Sequence, residues 1–291
     1  MKCILCDCTN VIQVFNLEKV GVHQCSKCGI LFVYPFPKNL QSSSSGEFSI
    51  MTDDGYSESL LNDSSNRRTL YNTIATNRYH YYAAILGNRK FSLLEIGCGS
   101  AGLAGSFNKL GVAYYGIDID QIMTSKAASD GIANIRNIDF FDIDENERYD
   151  VVCASQVLEH ITKPDEFIAK IYKHLNKNGV IHIDVPNHES LAGMVQKLLR
   201  SDKNRYGEIR WPHHSISYKR ETLEFLLHRH FSEVKTFSIN SNHKTWGQVG
   251  FPSTIRKFFL LVSAILRRHN FLVTLGTKRC GTIKMFDQVK R

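Results

Sequence analysis

From Phe91 onward, short apolar runs alternate with segments whose apolar residues recur every three or four positions. The runs 92–96, 113–117, 135–138, 151–154 and 180–185 have the length and the Val/Ile/Leu content of buried strands. Between them, 102–110, 121–128, 156–161 and 164–175 carry the spacing of helices with one apolar face. Asn178-Gly179 reads as the turn before the last of these strands. After Pro186 comes a polar, basic insertion, 187–211, then a helix over 220–230, a strand near 234–239 and a final strand at 282–286. Strict alternation of strand and helix predicts an α/β, doubly wound, mostly parallel seven-stranded sheet with helices on both faces.

The pattern before Phe91 is different. Residues 1–37 contain Cys3, Cys6, Cys25 and Cys28 as two CxxC pairs with eighteen residues between them. Tetrahedral Zn²⁺ takes four soft ligands, and each CxxC turn supplies two from one tight knuckle. Gly29, directly after Cys28, allows the left-handed backbone a knuckle needs. The spacing predicts a small zinc ribbon, with structural Zn²⁺ and no open coordination position for catalysis. The alternative is a set of free thiols or a redox pair. Of the eight cysteines, Cys8 is a spare, and Cys98, Cys153 and Cys280 read as small core residues. Residues 38–66, including Ser42–Ser45, read as a linker or loop. Residues 67–88 have helical spacing through Leu70, Ile74, Tyr81 and Ile85, with Gly87 as a stop. The main domain then runs over 67–291.

A net charge of +8 favours an anionic partner without naming one. Met1–Cys8 lacks the apolar core of a signal peptide, and no apolar run approaches ~18 residues, so the expectation is a cytoplasmic chain. Residues 256–270 form a short apolar segment flanked by Arg256-Lys257 and Arg267-Arg268. It reads as a lid, a homodimer contact, or an interfacial helix giving peripheral contact with the inner face of a membrane.

The chemistry concentrates at LLEIGCGSAG, 93–102, followed by GIDID, 116–120. A strand, a glycine-rich turn, a helix and a second strand ending in Asp118 form a unit that wraps a nucleoside cofactor. NAD and S-adenosylmethionine both satisfy this. Glu95 favours the second. A dinucleotide sets its pyrophosphate at the helix N-terminus, where a neighbouring carboxylate opposes it. S-Adenosylmethionine carries two cationic groups, which Glu95 would attract.

These motifs resemble those of class I S-adenosylmethionine-dependent methyltransferases, with their Rossmann-like fold. LLEIGCGSAG resembles the first motif and GIDID the second; IDFFDID, YDVVCASQVLEHI and LNKNGVIHIDVPN resemble the later ones. The resemblance implies that Gly97 and Gly99 admit the methionine part of the cofactor. Asp118 would hold the ribose, and Ile119 would pack beside the adenine. Asp139 would accept from the adenine amino group, with Asp142 as the alternative. Phe140 would lie against the ring, and Gln156 would line the cleft.

Methyl transfer to a hydroxyl or carbon acid also needs a base. Among twelve histidines, two positions stand out. His160 ends QVLEH at the carboxyl edge of the sheet. His214 lies in WPHHSISYKRETLEFLL, which resembles a segment of sugar methyltransferases that carry an N-terminal four-cysteine module. There a histidine at the position of His214 serves as base. Those enzymes have a glutamate where this chain has His213 and a tyrosine where it has Trp211. Tyr218 reads as packing. The resemblance implies methylation of a sugar or glycan precursor, one that bears phosphate. The alternatives are a zinc-ribbon RNA methyltransferase, which nucleic-acid binding would reveal, and a cofactor-binding protein without turnover.

Overall fold

The computed structural model describes residues 1–36, 64–199, 202–239 and 269–278. The main sheet has seven strands in the order β12-β13-β8-β7-β4-β5-β6. In chain order these are β4 (Ser92–Ile96), β5 (Ala113–Asp118), β6 (Ile135–Asn137), β7 (Tyr149–Ser155), β8 (Leu175–Pro186), β12 (Glu233–Ile239) and β13 (Phe271–Thr277). The first five pair in parallel, and β13 runs antiparallel between β8 and β12.

Successive strand residues face opposite sides of a pleated sheet. Leu93 and Val151 accordingly join one core with Tyr82, Ile85, Phe107 and Tyr114. Their neighbours Leu94 and Val152 join the other, with Phe167, Ile171, Leu223 and Leu226. This double burial is why the central strands read as unbroken apolar runs. The first face is covered by α1 (Ser64–Leu86) and α2 (Ala104–Lys109), the second by α4 (Pro164–His174) and α6 (Arg220–His228). Helix α3 (Gln121–Ser129) starts where Asp120 accepts from the backbone N–H groups of Ile122 and Met123, a side-chain cap.

The cysteine-bearing N-terminus is a meander of β1 (Val11–Asn16), β2 (Gly21–Cys25) and β3 (Leu31–Tyr34). A fourth strand, β11 (Ile216–Ser217), comes from the main domain and pairs antiparallel with β3. The Thr222 hydroxyl, at the start of α6, donates to the Cys28 carbonyl at 2.8 Å. Cys3, Leu5, Ile30 and Phe32 share the core of α4 and α6. The insertion 187–211 contains α5 (Leu191–Leu199) and a hairpin of β9 (Arg205–Tyr206) and β10 (Ile209–Arg210). It leans on the meander, with Phe15 stacked on Tyr206 at 4.8 Å and Ile209 buried against Val22 and Val33.

Two expectations change. The predicted helix over 156–161 is a single 3-10 turn, Leu158–His160. Gln156 takes a left-handed φ of 57° and its N–H donates to the Asp184 carbonyl, so the chain bends at the sheet edge before a helix can start. The seventh strand is Phe271–Thr277, which starts directly after the 256–270 segment of the sequence reading. Its Leu272 and Leu275 are buried because β8 and β12 flank it on both sides. The predicted strand 282–286, the apolar segment up to residue 268 and the linker up to residue 63 lie outside the described residues; 64–66 open α1.

Candidate functional site

The carboxyl ends of β4, β5 and β7 open into a cleft of about 360 Å³. Gly97, Asp118, Ile119, Asp139, Phe140, Gln156 and His160 all line it. The glycine-rich turn shapes its floor. Gly97 has a φ of 70°, and a Cβ there would lie 2.5 Å from the Val157 side chain, so the backbone stays bare at this point. Gly99 also has positive φ, and it touches the cleft indirectly: its N–H donates to Asp118 at 2.7 Å. The other Asp118 oxygen accepts from the Asp120 N–H at 2.8 Å. Burial raises the Asp118 pKa, and these backbone donors oppose the rise. Its carboxylate is thus fixed at the end of β5, where both ribose hydroxyls of a nucleoside would reach it.

Asp139 accepts from the Phe141 N–H at 2.9 Å and starts a 3-10 turn, Phe140–Asp142. That turn buries the Phe140 ring edge-on against Phe167, 5.2 Å between centroids, and leaves it as an apolar wall. Ile119 is 38 % exposed, at the rim. Flat apolar surfaces beside a fixed carboxylate are what an adenosine-type ligand requires.

Glu95 lies behind the turn, outside the cleft lining. It is 6 % exposed and accepts from the Tyr114 hydroxyl at 2.5 Å. The cation it meets is Arg78 of α1, at 3.8 Å. Burial raises its pKa, with Arg78 and the Tyr114 hydroxyl opposing. Arg78 also donates to Ser155 at 2.7 Å and to Asp184 at 2.8 Å. Asp184 in turn accepts from the Gln156 side chain at 2.9 Å, which fixes the left-handed bend at the cleft wall. Burial works against the Asp184 charge, but His182 and Arg78 hold its carboxyl below the usual range. Arg78 and Asp184 escape the sequence reading. Asp184 ends an apolar strand, which is a readable signal, whereas Arg78 is one of many helix-face cations and has none.

The two candidate histidines converge at the His160 end of the cleft. Their rings stand edge-to-face with centroids 5.0 Å apart. His160 lines the cleft; His214 stands behind it, outside the lining. His160 Nδ1 faces the His213 carbonyl at 2.8 Å, so that nitrogen carries the proton and Nε2 keeps its lone pair. His214 Nδ1 is buried and has no partner. Burial lowers both histidines, His160 to about 4. Glu159, beside them, was not foreseen. It is 1 % exposed, neither carboxylate oxygen has a hydrogen-bond partner, and burial pushes it up to about 8. Tyr218 is fully buried and its hydroxyl donates to the Leu158 carbonyl at 3.3 Å, so it packs the turn that carries Glu159 and His160.

The four ribbon cysteines gather as their spacing predicts. All four sulfurs lie within 4.8 Å of one another, with Cys3–Cys28 at 3.5 Å and Cys6–Cys25 at 3.6 Å. A tetrahedron with Zn–S of 2.3 Å has S···S edges of about 3.8 Å. The N–H groups of Leu5 and Lys27 point at the Cys3 and Cys25 sulfurs at 3.4 Å, which favours thiolates, and Gly29 has a φ of 73°. The donor set fits a closed tetrahedral thiolate site.

The family model described as a methyltransferase domain matches residues 66–230. Among curated proteins, the ubiquinone biosynthesis O-methyltransferase of Rhodopseudomonas palustris (strain TIE-1) is 31% identical over 100 residues, which is 33% of this chain and 40% of that protein. The enzyme of the same name from Rickettsia conorii (strain ATCC VR-613 / Malish 7) is 29% identical over 108 residues, 35% of this chain and 37% of that protein. The chain thus spans about 40% of the length of the curated relatives it matches. Among solved structures, that of the plantazolicin methyltransferase BpumL in complex with SAH is similar in fold, with a TM-score of 0.56 at 18% identity over 83% of this chain and 94% of that one. With 165 residues of the cleft-bearing domain matched, from α1 through α6, the chain belongs to the methyltransferase domain family.

Proposed function

We propose that this protein transfers a methyl group from S-adenosylmethionine to a hydroxyl oxygen of a sugar or glycan precursor. The observation that carries the reading is the convergence of two half-sites on one cleft. Gly97, Asp118, Ile119 and Phe140 form a nucleoside cradle at one end, and His160 lines the other with Glu159 and His214 gathered behind it. Transfer from a sulfonium is an in-line displacement, so most of the rate comes from holding acceptor and methyl in register. The protein's part is to bind the donor on the cradle and to make the acceptor oxygen nucleophilic at the histidine end. At that end His160 faces the acceptor and His214 backs it.

The curated relatives favour oxygen as the atom methylated, since their names describe O-methyltransferases. Their quinone-pathway substrate is a weaker guide. The matched 100 residues amount to a third of this chain. The four-cysteine meander, the insertion 187–211 and β11, which follows the segment bearing His214, pack together beside the His160 turn and extend beyond a match of about a third of the chain. We assign the cysteine quartet structural Zn²⁺, which would hold the meander closed around Cys28 and keep β11 in line. A net charge of +8 suits a phosphate-bearing sugar. Among the described residues no helix is long and apolar enough to cross a membrane.

The test is incubation of the purified chain with methyl-labelled donor and separate nucleotide-sugar, lipid-linked saccharide, quinol and RNA fractions. Label in a sugar-containing product, as an alkali-stable ether, is the expected result. Label confined to quinols or RNA would replace the acceptor. Binding of NAD in preference to S-adenosylhomocysteine would overturn the reading altogether.

A further inference from the structure

Glu159 is the anomaly of this molecule. Its side chain is almost fully buried and both oxygens lack a hydrogen-bond partner. An ionised carboxylate buried this way is costly, and a protonated one would still leave an O–H without an acceptor. Neither state finds a hydrogen-bond partner in the protein. Arg210 favours the Glu159 charge from a distance without a hydrogen bond to it, and its guanidinium also lies 3.7 Å from Glu208.

Its neighbours supply the other half of an explanation. A Glu159 oxygen, a His160 ring nitrogen and a His214 ring nitrogen lie within 4.8 Å of one another. His160 donates its Nδ1 proton to the His213 carbonyl, which leaves Nε2 as a lone-pair donor. A metal-bound histidine is oriented in this way, with its second nitrogen on a backbone carbonyl. His214 presents a buried Nδ1 without a hydrogen-bond partner, on a ring that the Glu208 backbone helps to hold. We infer that Glu159, His160 and His214 form a second metal site, distinct from the cysteine quartet, that takes a divalent first-row transition ion. Two imidazoles and one carboxylate suit zinc or ferrous iron and do not suit magnesium, which takes oxygen ligands. Three protein ligands leave coordination positions open, and His160 lines the cleft, so the open side faces the acceptor. The inference rests on the methyl-transfer reading for one point only: the open positions take the acceptor's oxygen atoms, so the acceptor class narrows to hydroxyls, with vicinal diols favoured by two-point chelation.

The site is approached with the full-length chain carrying one equivalent of zinc, which the four-cysteine site takes, titrated with Co²⁺ alone. Cobalt in a nitrogen/oxygen site gives weak visible d–d bands, without the intense near-ultraviolet thiolate band of a four-cysteine site. One saturable equivalent with the weak bands is expected. Glu159→Gln and His214→Ala should each weaken it by 10-fold or more, with circular dichroism and S-adenosylhomocysteine affinity unchanged. Absence of any saturable cobalt signal in the wild-type chain would overturn the inference, whether or not the variants fold. So would equal cobalt affinity in wild type and both variants. S-Adenosylhomocysteine binding on the same sample keeps the readings apart: its loss sinks the methyl-transfer reading and leaves the cobalt result standing.

Discussion

Replacing Arg78 by methionine tests the electrostatic frame under the cleft. Arg78 is the cation that two buried carboxylates share, Asp184 at 2.8 Å and Glu95 at 3.8 Å. At an effective dielectric of about 20, these separations correspond to roughly 6 and 4 kcal/mol of gross attraction. Burying all three groups cancels most of that, so the pairs add little net stability. Removing one partner is different, because the carboxylates stay buried without their cation, at a cost of about 3–5 kcal/mol. The pH dependence gives the sharper signature. In the wild type the Asp184 pKa is held below its ordinary value. Its contribution is present above the unfolded pKa and is lost only as pH falls through the lower folded value. Without Arg78, His182 and the Gln156 amide are left to oppose burial at Asp184, so its pKa rises, and that of Glu95, raised already, rises further. The variant then gains stability as pH falls from 7 toward 4, because protonation relieves the buried charge. Urea denaturation of both proteins at fixed zinc, over that pH range, measures it. The expected result is a large stability gap at pH 7 that narrows steadily toward pH 4. A gap independent of pH would refute the reasoning.

Further expectations address the cleft, the ribbon and its dock. Gly97→Ala places a methyl 2.5 Å from Val157 at a left-handed position, at about 1–2 kcal/mol of backbone strain before any clash. Calorimetry should show S-adenosylhomocysteine affinity falling by about tenfold or more; an unchanged affinity would remove the turn from the site. His214→Ala should keep that affinity while turnover falls by roughly 100-fold, as single-turnover kinetics would show. Thr222→Val removes the hydroxyl bond to the Cys28 carbonyl and should cost about 1 kcal/mol in a denaturant midpoint. Cys28→Ser should release zinc detectable by a metallochromic dye and open the β3–β11 edge to hydrogen exchange, with the β4–β7 amides still protected.

The division between what the chain declares and what the fold creates follows sequence distance. Period-two and period-3.6 patterns are local, so strands 92–96, 113–117 and 151–154 are legible in the residues themselves, as is the glycine turn with Asp118. The cysteine quartet is legible too, because each knuckle holds its own pair of ligands. Strand 271–277 was harder to see: its apolar run continues the segment before it, and only the empty place between β8 and β12 makes it a strand. The bend at Gln156 comes from Asp184, in the next strand of the sheet. Glu95 carries a recognisable motif, yet its partner Arg78 is set by how α1 packs on the sheet. Glu159 and His160 meet His214 across more than fifty residues only because β11 pairs with the cysteine meander and draws the preceding segment against His160. Backbone patterning is written along the chain, while electrostatic partnership depends on distances of 3–4 Å that only packing sets.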